Sequence, residues 1–382
     1  LPELDALRAF AVLLVIVHHW CGPADSPLGP IGVWIFFVLS GFLITRILLD
    51  SRSDSPGANR QAIVRFYIRR ILRIFPLYYL VLLLAFVTST TFRSHWSWYV
   101  AYLQNFWMIR AASDEQIFGP HLWSLAVEEQ FYVVWPLIAL FAPRVVLPVM
   151  LGSTLGLAVA CRCIATAAGW TPFQVYAFTP CNFDMLGLGA LLAYVVSYRS
   201  DQVVRLRRLA CGAAVVILCA NALLHIPLLN FSTMALPTGC ITFWFIARVV
   251  GGVDGIAGRV LRFPPSVYLG RISYGIYVYH YFVPETLTAL LRRCRLELDG
   301  APFLAICFIV TVVVASVSWF FFEKPVRSLK DRRYTRAPAR DLAVARQRGP
   351  GVPERLTGLT GQREESGTDR TRDVSDASGE KF

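Results

Sequence analysis

Apolar residues in this chain gather into blocks close to the roughly 20-residue length of a helix that crosses a bilayer core. Ala6 to Cys21, Leu77 to Thr88, Val145 to Ala160 and Cys211 to Leu224 are the clearest of them. With their polar flanks, the blocks predict ten spans, at 5–22, 29–49, 74–92, 121–142, 145–166, 180–197, 209–227, 231–250, 267–288 and 301–322. The expected fold is all-α, a polytopic transmembrane helical bundle. The aromatic stretch from Trp96 to Ile109 suits an interfacial or re-entrant element better than a span. No internal repeat is visible, so nothing points to an inverted-repeat transporter.

Composition agrees: 55% of the 382 residues are hydrophobic and 16% are charged, against roughly 25% charged in soluble domains. The net charge of +12 does not mark a nucleic-acid binder, because the basic residues sit between spans rather than on one soluble module. The 50–73 connection carries Arg52, Arg60, Arg65, Arg69, Arg70 and Arg73, and the 198–208 and 248–271 connections hold four arginines each. All fall on one face, which the positive-inside rule makes cytoplasmic. Arg292, Arg293 and Arg295 are the cluster against that rule. An even number of spans then puts both termini in the cytoplasm, and the expected location is the cell (inner) membrane.

The first block carries Asp5, Arg8, His18 and His19 and no small-residue cleavage site, so it reads as a retained span. Beyond a membrane domain at 1–335, the polar 336–382 segment has almost no large apolar residues and is expected to be a disordered cytoplasmic tail. The nine cysteines show no repeating ligand spacing, and only Cys161 and Cys163 lie close in sequence, so no metal site is expected.

Ionisable groups within spans cost free energy and mark candidate sites. Asp5, Arg8 and His19 are separated by 3 and 11 positions, which places them on one helix face with Arg8 and His19 about 16 Å apart. A packing role for His19 is the plainer alternative. The fourth span enters through His121 to Gln130, and its Glu128 and Glu129 lie at an expected depth near His19, where Glu128 could orient the imidazole and act with it in catalysis. Capping the helix start is the other reading of the acidic pair. His280 is expected near the same depth, with packing an equal possibility. At the opposite depth lie Arg69, Arg70 and Arg73, with Phe322 to Arg327. Guanidiniums suit phosphates, while anchoring to lipid head groups is the simpler account.

Six stretches together resemble the membrane-bound acyltransferase family 3, whose members O-acetylate surface polysaccharides, nodulation factors and some macrolides. They are Leu4 to Ala11 running to His19, Phe36 to Leu43, Arg70 to Pro76, Trp123 to Tyr132, Ser273 to Tyr277 with His280, and Phe322 to Arg327. They occur in the family's order. The resemblance implies His19 as the essential histidine and a requirement for Arg8, Arg70 and Arg73. It also implies a donor such as acetyl-CoA or another cytoplasmic acyl-CoA. Many relatives carry an arginine two positions before the aspartate at Asp184, where this chain has Asn182. Some relatives carry a hydrolase-like domain after the membrane part, and only the short tail is expected here.

The expected partners are therefore membrane lipid, acyl-CoA and a carbohydrate or glycosylated acceptor. Coenzyme A would dock its phosphates on the inner arginines, Arg8, Arg70 and Arg73. His19 would act as general base toward an acceptor hydroxyl, or form an acyl-histidine. Ser40 and Gly41 would either offer donors to an oxyanion or make a small-residue helix contact. A transporter or channel using buried Asp, Arg and His is the competing function.

Overall fold

The computed structural model describes residues 1–23, 26–111, 116–224 and 229–334, so the 336–382 segment lies outside the described residues. The chain begins with α1 (Pro2–Cys21), α2 (Leu28–Ser51), α3 (Pro56–Thr88), α4 (Thr90–Val100) and α5 (Gln104–Arg110). After a 3-10 turn at Pro120–Leu122 come α6 (Trp123–Phe141), α7 (Leu147–Ala167), α8 (Pro172–Ala177) and α9 (Phe183–Tyr198). Next are α10 (Val203–Leu224), α11 (Leu229–Val250), α12 (Gly255–Leu261), α13 (Pro264–Arg271), α14 (Ser273–Tyr279) and α15 (Phe282–Arg293). The described chain closes with α16 (Gly300–Ser318), a π-helical turn at Trp319–Glu323 and α17 (Lys324–Tyr334).

Among the described residues, seven helices are long and apolar enough to cross a membrane. An eighth crossing is formed if Met234–Val250 and Gly255–Leu261, bent by 105°, count as one. The chain is a multi-pass, all-α membrane protein. Two predicted elements differ. The third helix begins at Pro56 rather than near 74, because Ser55 and Pro56 start it and no breaker follows before Pro76. Its 33 residues reach about 50 Å, beyond the ~30 Å hydrocarbon core.

The predicted ninth span, 267–288, is broken into α13, α14 and α15. Pro284 explains the second break: it has no N–H to donate and its ring crowds the carbonyl four residues earlier, that of His280. The indole N–H of Trp20, at the end of α1, donates to this freed carbonyl at 3.0 Å.

Helix α2 is buried along most of its length. It crosses α9 through reciprocal glycines: a Cβ on Gly41 would strike the Leu186 carbonyl, and one on Gly189 the Val38 carbonyl. Small residues let membrane helices approach this closely. Gly270 of α13 meets the Asp5 carbonyl of α1 in the same way. The open C-terminal carbonyls of α6 are met from the α2–α3 junction. Arg52 donates to Ala139 and Ala142 at 3.0 and 2.6 Å, and Asn59 donates to Leu140 at 3.2 Å.

Asp184, lacking an arginine at 182, takes one from a different helix. Arg162 of α7 donates to its carboxylate at 2.5 Å and to the Cys181 carbonyl, with both charged side chains almost wholly buried. Removing one member of a buried pair strands the other charge, at about 3–5 kcal/mol. Arg162→Leu is expected to lower stability by that order in thermal unfolding of the detergent-purified protein, and Arg162→Leu with Asp184→Leu to recover most of it.

Candidate functional site

Two clusters face each other along α1. At its start, Arg8 donates to Asp5 at 2.7 Å. Arg70 and Arg73, three residues apart on α3, join Arg8 in lining a cavity whose empty space, open solvent at its mouth included, is ≈ 790 Å³. Arg69 is exposed and does not line it. The Arg70 guanidinium lies 5.2 Å from the centre of the Tyr132 ring and 5.7 Å from that of Phe66. Among the described residues, neither Arg70 nor Arg73 has a carboxylate within ion-pair distance. Half-buried cations left in that state call for an anionic ligand.

Helix α6 lays Ser124, Glu128 and Tyr132 along the cavity at i, i+4 and i+8. Tyr132 and Ser40 of α2 hydrogen-bond to each other through their hydroxyls. Ser40 and Gly41 sit in the middle of a continuous helix, where backbone N–H groups serve the helix ladder, and Gly41 is spent on the contact with α9.

Glu128 belongs with the arginines, and no Glu128–His19 hydrogen bond forms. The reason is depth. His121 is the α6-side residue that reaches the level of His19, and Glu128 lies seven residues further in, about 10 Å along the helix axis. Glu129 does not line the cavity, and its buried Oε1 has no partner among the described residues.

At the other end of α1, His19 is exposed while His121 and His280 are buried. His19 Nδ1 lies 3.0 Å from the Val15 carbonyl and 3.0 Å from His280 Nε2. The His121 ring stacks on Tyr281 with centroids 5.0 Å apart. His18 faces elsewhere, over Gly29, where a Cβ would collide with its ring.

Tyr277 stands between the clusters. Its hydroxyl donates to the His121 carbonyl at 2.6 Å and meets Ser124 Oγ at 2.6 Å, and its ring centroid is 5.7 Å from that of His280. Tyr277 and Ser124 line the cavity and His19 does not, so the space ends one side chain short of the histidines.

The structure thus gathers Arg8, Arg70, Arg73 and Glu128 in one cavity and sets His19 beyond its far wall. Sequence reasoning missed Tyr277, Ser124 and Tyr132. His280 was expected near this depth, and it contacts His19.

A family profile described as an acyltransferase domain matches residues 1–320. The chain belongs to this family. Among curated relatives, a putative peptidoglycan O-acetyltransferase, YrhL, of Bacillus subtilis is 30% identical over 88% of this chain and 56% of its own length. The peptidoglycan O-acetyltransferase OatA of Listeria monocytogenes is 30% identical over 85% of this chain and 56% of its own. The O-acetyltransferase OatA of Staphylococcus aureus is 25% identical over 91% and 60%. The chain therefore spans less than two thirds of the length of these relatives. No solved structure matches it.

In this acyltransferase-family protein, anion binding at the unpaired arginines can be tested without turnover. A charge-assisted hydrogen bond contributes about 1.5–3 kcal/mol, so Arg73→Ala is expected to weaken inorganic pyrophosphate binding roughly 10-fold or more in calorimetric titration. Raised salt should weaken it further.

Proposed function

We propose that the protein is an integral membrane O-acyltransferase that moves an acyl group, acetyl in the first instance, from an acyl-CoA to a carbohydrate hydroxyl. Peptidoglycan, named for two relatives, is the acceptor to test first. The observation that carries the reading is the cavity with two unpaired guanidiniums at one end of the helix that bears His19 at the other. The arginine end faces the cytoplasm and the His19 end the opposite side of the cell membrane.

Arg8, Arg70 and Arg73 hold the phosphates of coenzyme A. The pantetheine arm runs past Ser40, Glu128 and Tyr132 toward Tyr277, whose side chain turns aside to admit the thioester to His19. The acceptor arrives from the exposed side of His19. As its oxygen attacks the thioester carbonyl, the imidazole takes the hydroxyl proton. The new C–O bond forms, the C–S bond breaks, and the thiolate leaves and is protonated to the free thiol. General-base catalysis of this kind contributes about 10²–10⁴-fold.

His19→Ala is accordingly expected to lower transfer of radiolabelled acetyl from acetyl-CoA to glycan fragments at least about 10²-fold. Stabilisation of the purified protein by coenzyme A in thermal unfolding should remain. Unchanged transfer would remove His19 from the chemistry, and the absence of any coenzyme A stabilisation in the unaltered protein would remove the donor.

A further inference from the structure

His280 contacts His19 in a geometry that fixes which imidazole nitrogen carries the proton. The Nδ1 atom of His280 is 2.7 Å from the Tyr277 carbonyl. A carbonyl only accepts, so in the neutral ring the proton sits on Nδ1 and Nε2 presents a lone pair. That lone pair points at His19 Nδ1, 3.0 Å away. His19 Nδ1 also faces the Val15 carbonyl at 3.0 Å. Both neighbours of His19 Nδ1 are thus acceptors, and the proton belongs on that atom. Nε2 of His19 is left bare on the exposed side of the ring.

We infer that His280 is a positioning residue: it locks His19 in the Nδ1–H tautomer, turns its Nε2 lone pair toward the acceptor, and shares the imidazolium proton when His19 becomes charged. The inference rests on His19 being the base. The second nitrogen of a catalytic histidine decides the role of the first, and losing such an orienting partner typically costs 10- to 100-fold.

The fold supplies the arrangement. Pro284 ends the helical run at His280, so its ring is presented from a turn. The same residue's carbonyl is held by Trp20, the next residue after His19. The Trp20 side chain of α1 is therefore tied directly to the backbone of the residue that orients its neighbour. Of the other histidines, His121 has its Nε2 3.3 Å from the Val278 carbonyl, and its ring centroid is 5.1 Å from that of His280. It meets the pair edge-on without hydrogen-bonding to it.

The test uses the full chain in detergent, with His280→Ala, and with His280→Gln, whose amide oxygen restores an acceptor. His280→Ala should lower kcat for acetyl transfer about 10- to 100-fold while leaving KM for acetyl-CoA within about 2-fold, and His280→Gln should recover most of the loss. Independently of turnover, ¹⁵N NMR of histidine-labelled protein should show a protonated Nδ1 and bare Nε2 for His19, assigned by their loss in His19→Gln. In His280→Ala the two tautomers should mix. An unchanged tautomer with unchanged kcat in His280→Ala would overturn the inference. So would His280→Gln as inactive as His280→Ala with the tautomer intact. Full activity in His19→Ala would instead overturn the base on which it rests, and the NMR result separates the two failures.

Discussion

Guanidinium charge without a carboxylate to meet it, held inside a largely apolar bundle, is the interaction on which the rest depends. Cations in such surroundings are costly unless paired or solvated, and Arg70 and Arg73 lack ion-pair partners among the described residues. The fold retains them beside Arg8, lining a cavity, and the proposed function gives that uncompensated charge the donor's phosphates as its partner. Helix α1 then sets the scale. It carries Arg8 at one end and His19 at the other, eleven residues on, so the distance between the arginine cluster and His19 is fixed by helix rise instead of by loop geometry.

Irregular positions shape the second half of the site. Glycines at 41, 189 and 270 bring α2 against α9 and α13 against α1 in backbone contact. Pro284 breaks a helix that would otherwise run through. The break frees the His280 carbonyl for Trp20 and frees the His280 ring for His19. Tyr277, one turn earlier, closes the cavity toward the histidines through two hydroxyl contacts. The cavity and the histidine cluster are thereby separated by one side chain, and in the proposed reading Tyr277 divides the donor's chamber from the acceptor's face.

Much of this was legible in the residues. Apolar block length located the helices, and spacings of 3 and 11 put Asp5, Arg8 and His19 on one face. Depth was harder to read. The apolar pattern of the fourth span does not say which of His121 to Gln130 meets the level of His19; His121 occupies that level and Glu128 lies with the arginines. Continuous helix through 56–73 was obscured by its arginines, which resemble a connection until the helix start at Ser55 and Pro56 is weighed. Pairings across distant segments left almost no local trace. Arg162 with Asp184 and His280 with His19 join residues that only the packed bundle brings together.

The account turns on one passage linking the arginines to His19, and the most direct measurement is an experimental structure of the protein with a non-hydrolysable thioether analogue of acetyl-CoA. The account predicts phosphates on Arg8, Arg70 and Arg73, Tyr277 displaced from its contacts with Ser124 and His121, and the acyl carbon roughly 3–3.5 Å from the path of an oxygen activated by His19. An analogue bound elsewhere, or bound at the arginines with its acyl end held away from His19 behind an unmoved Tyr277, would contradict it.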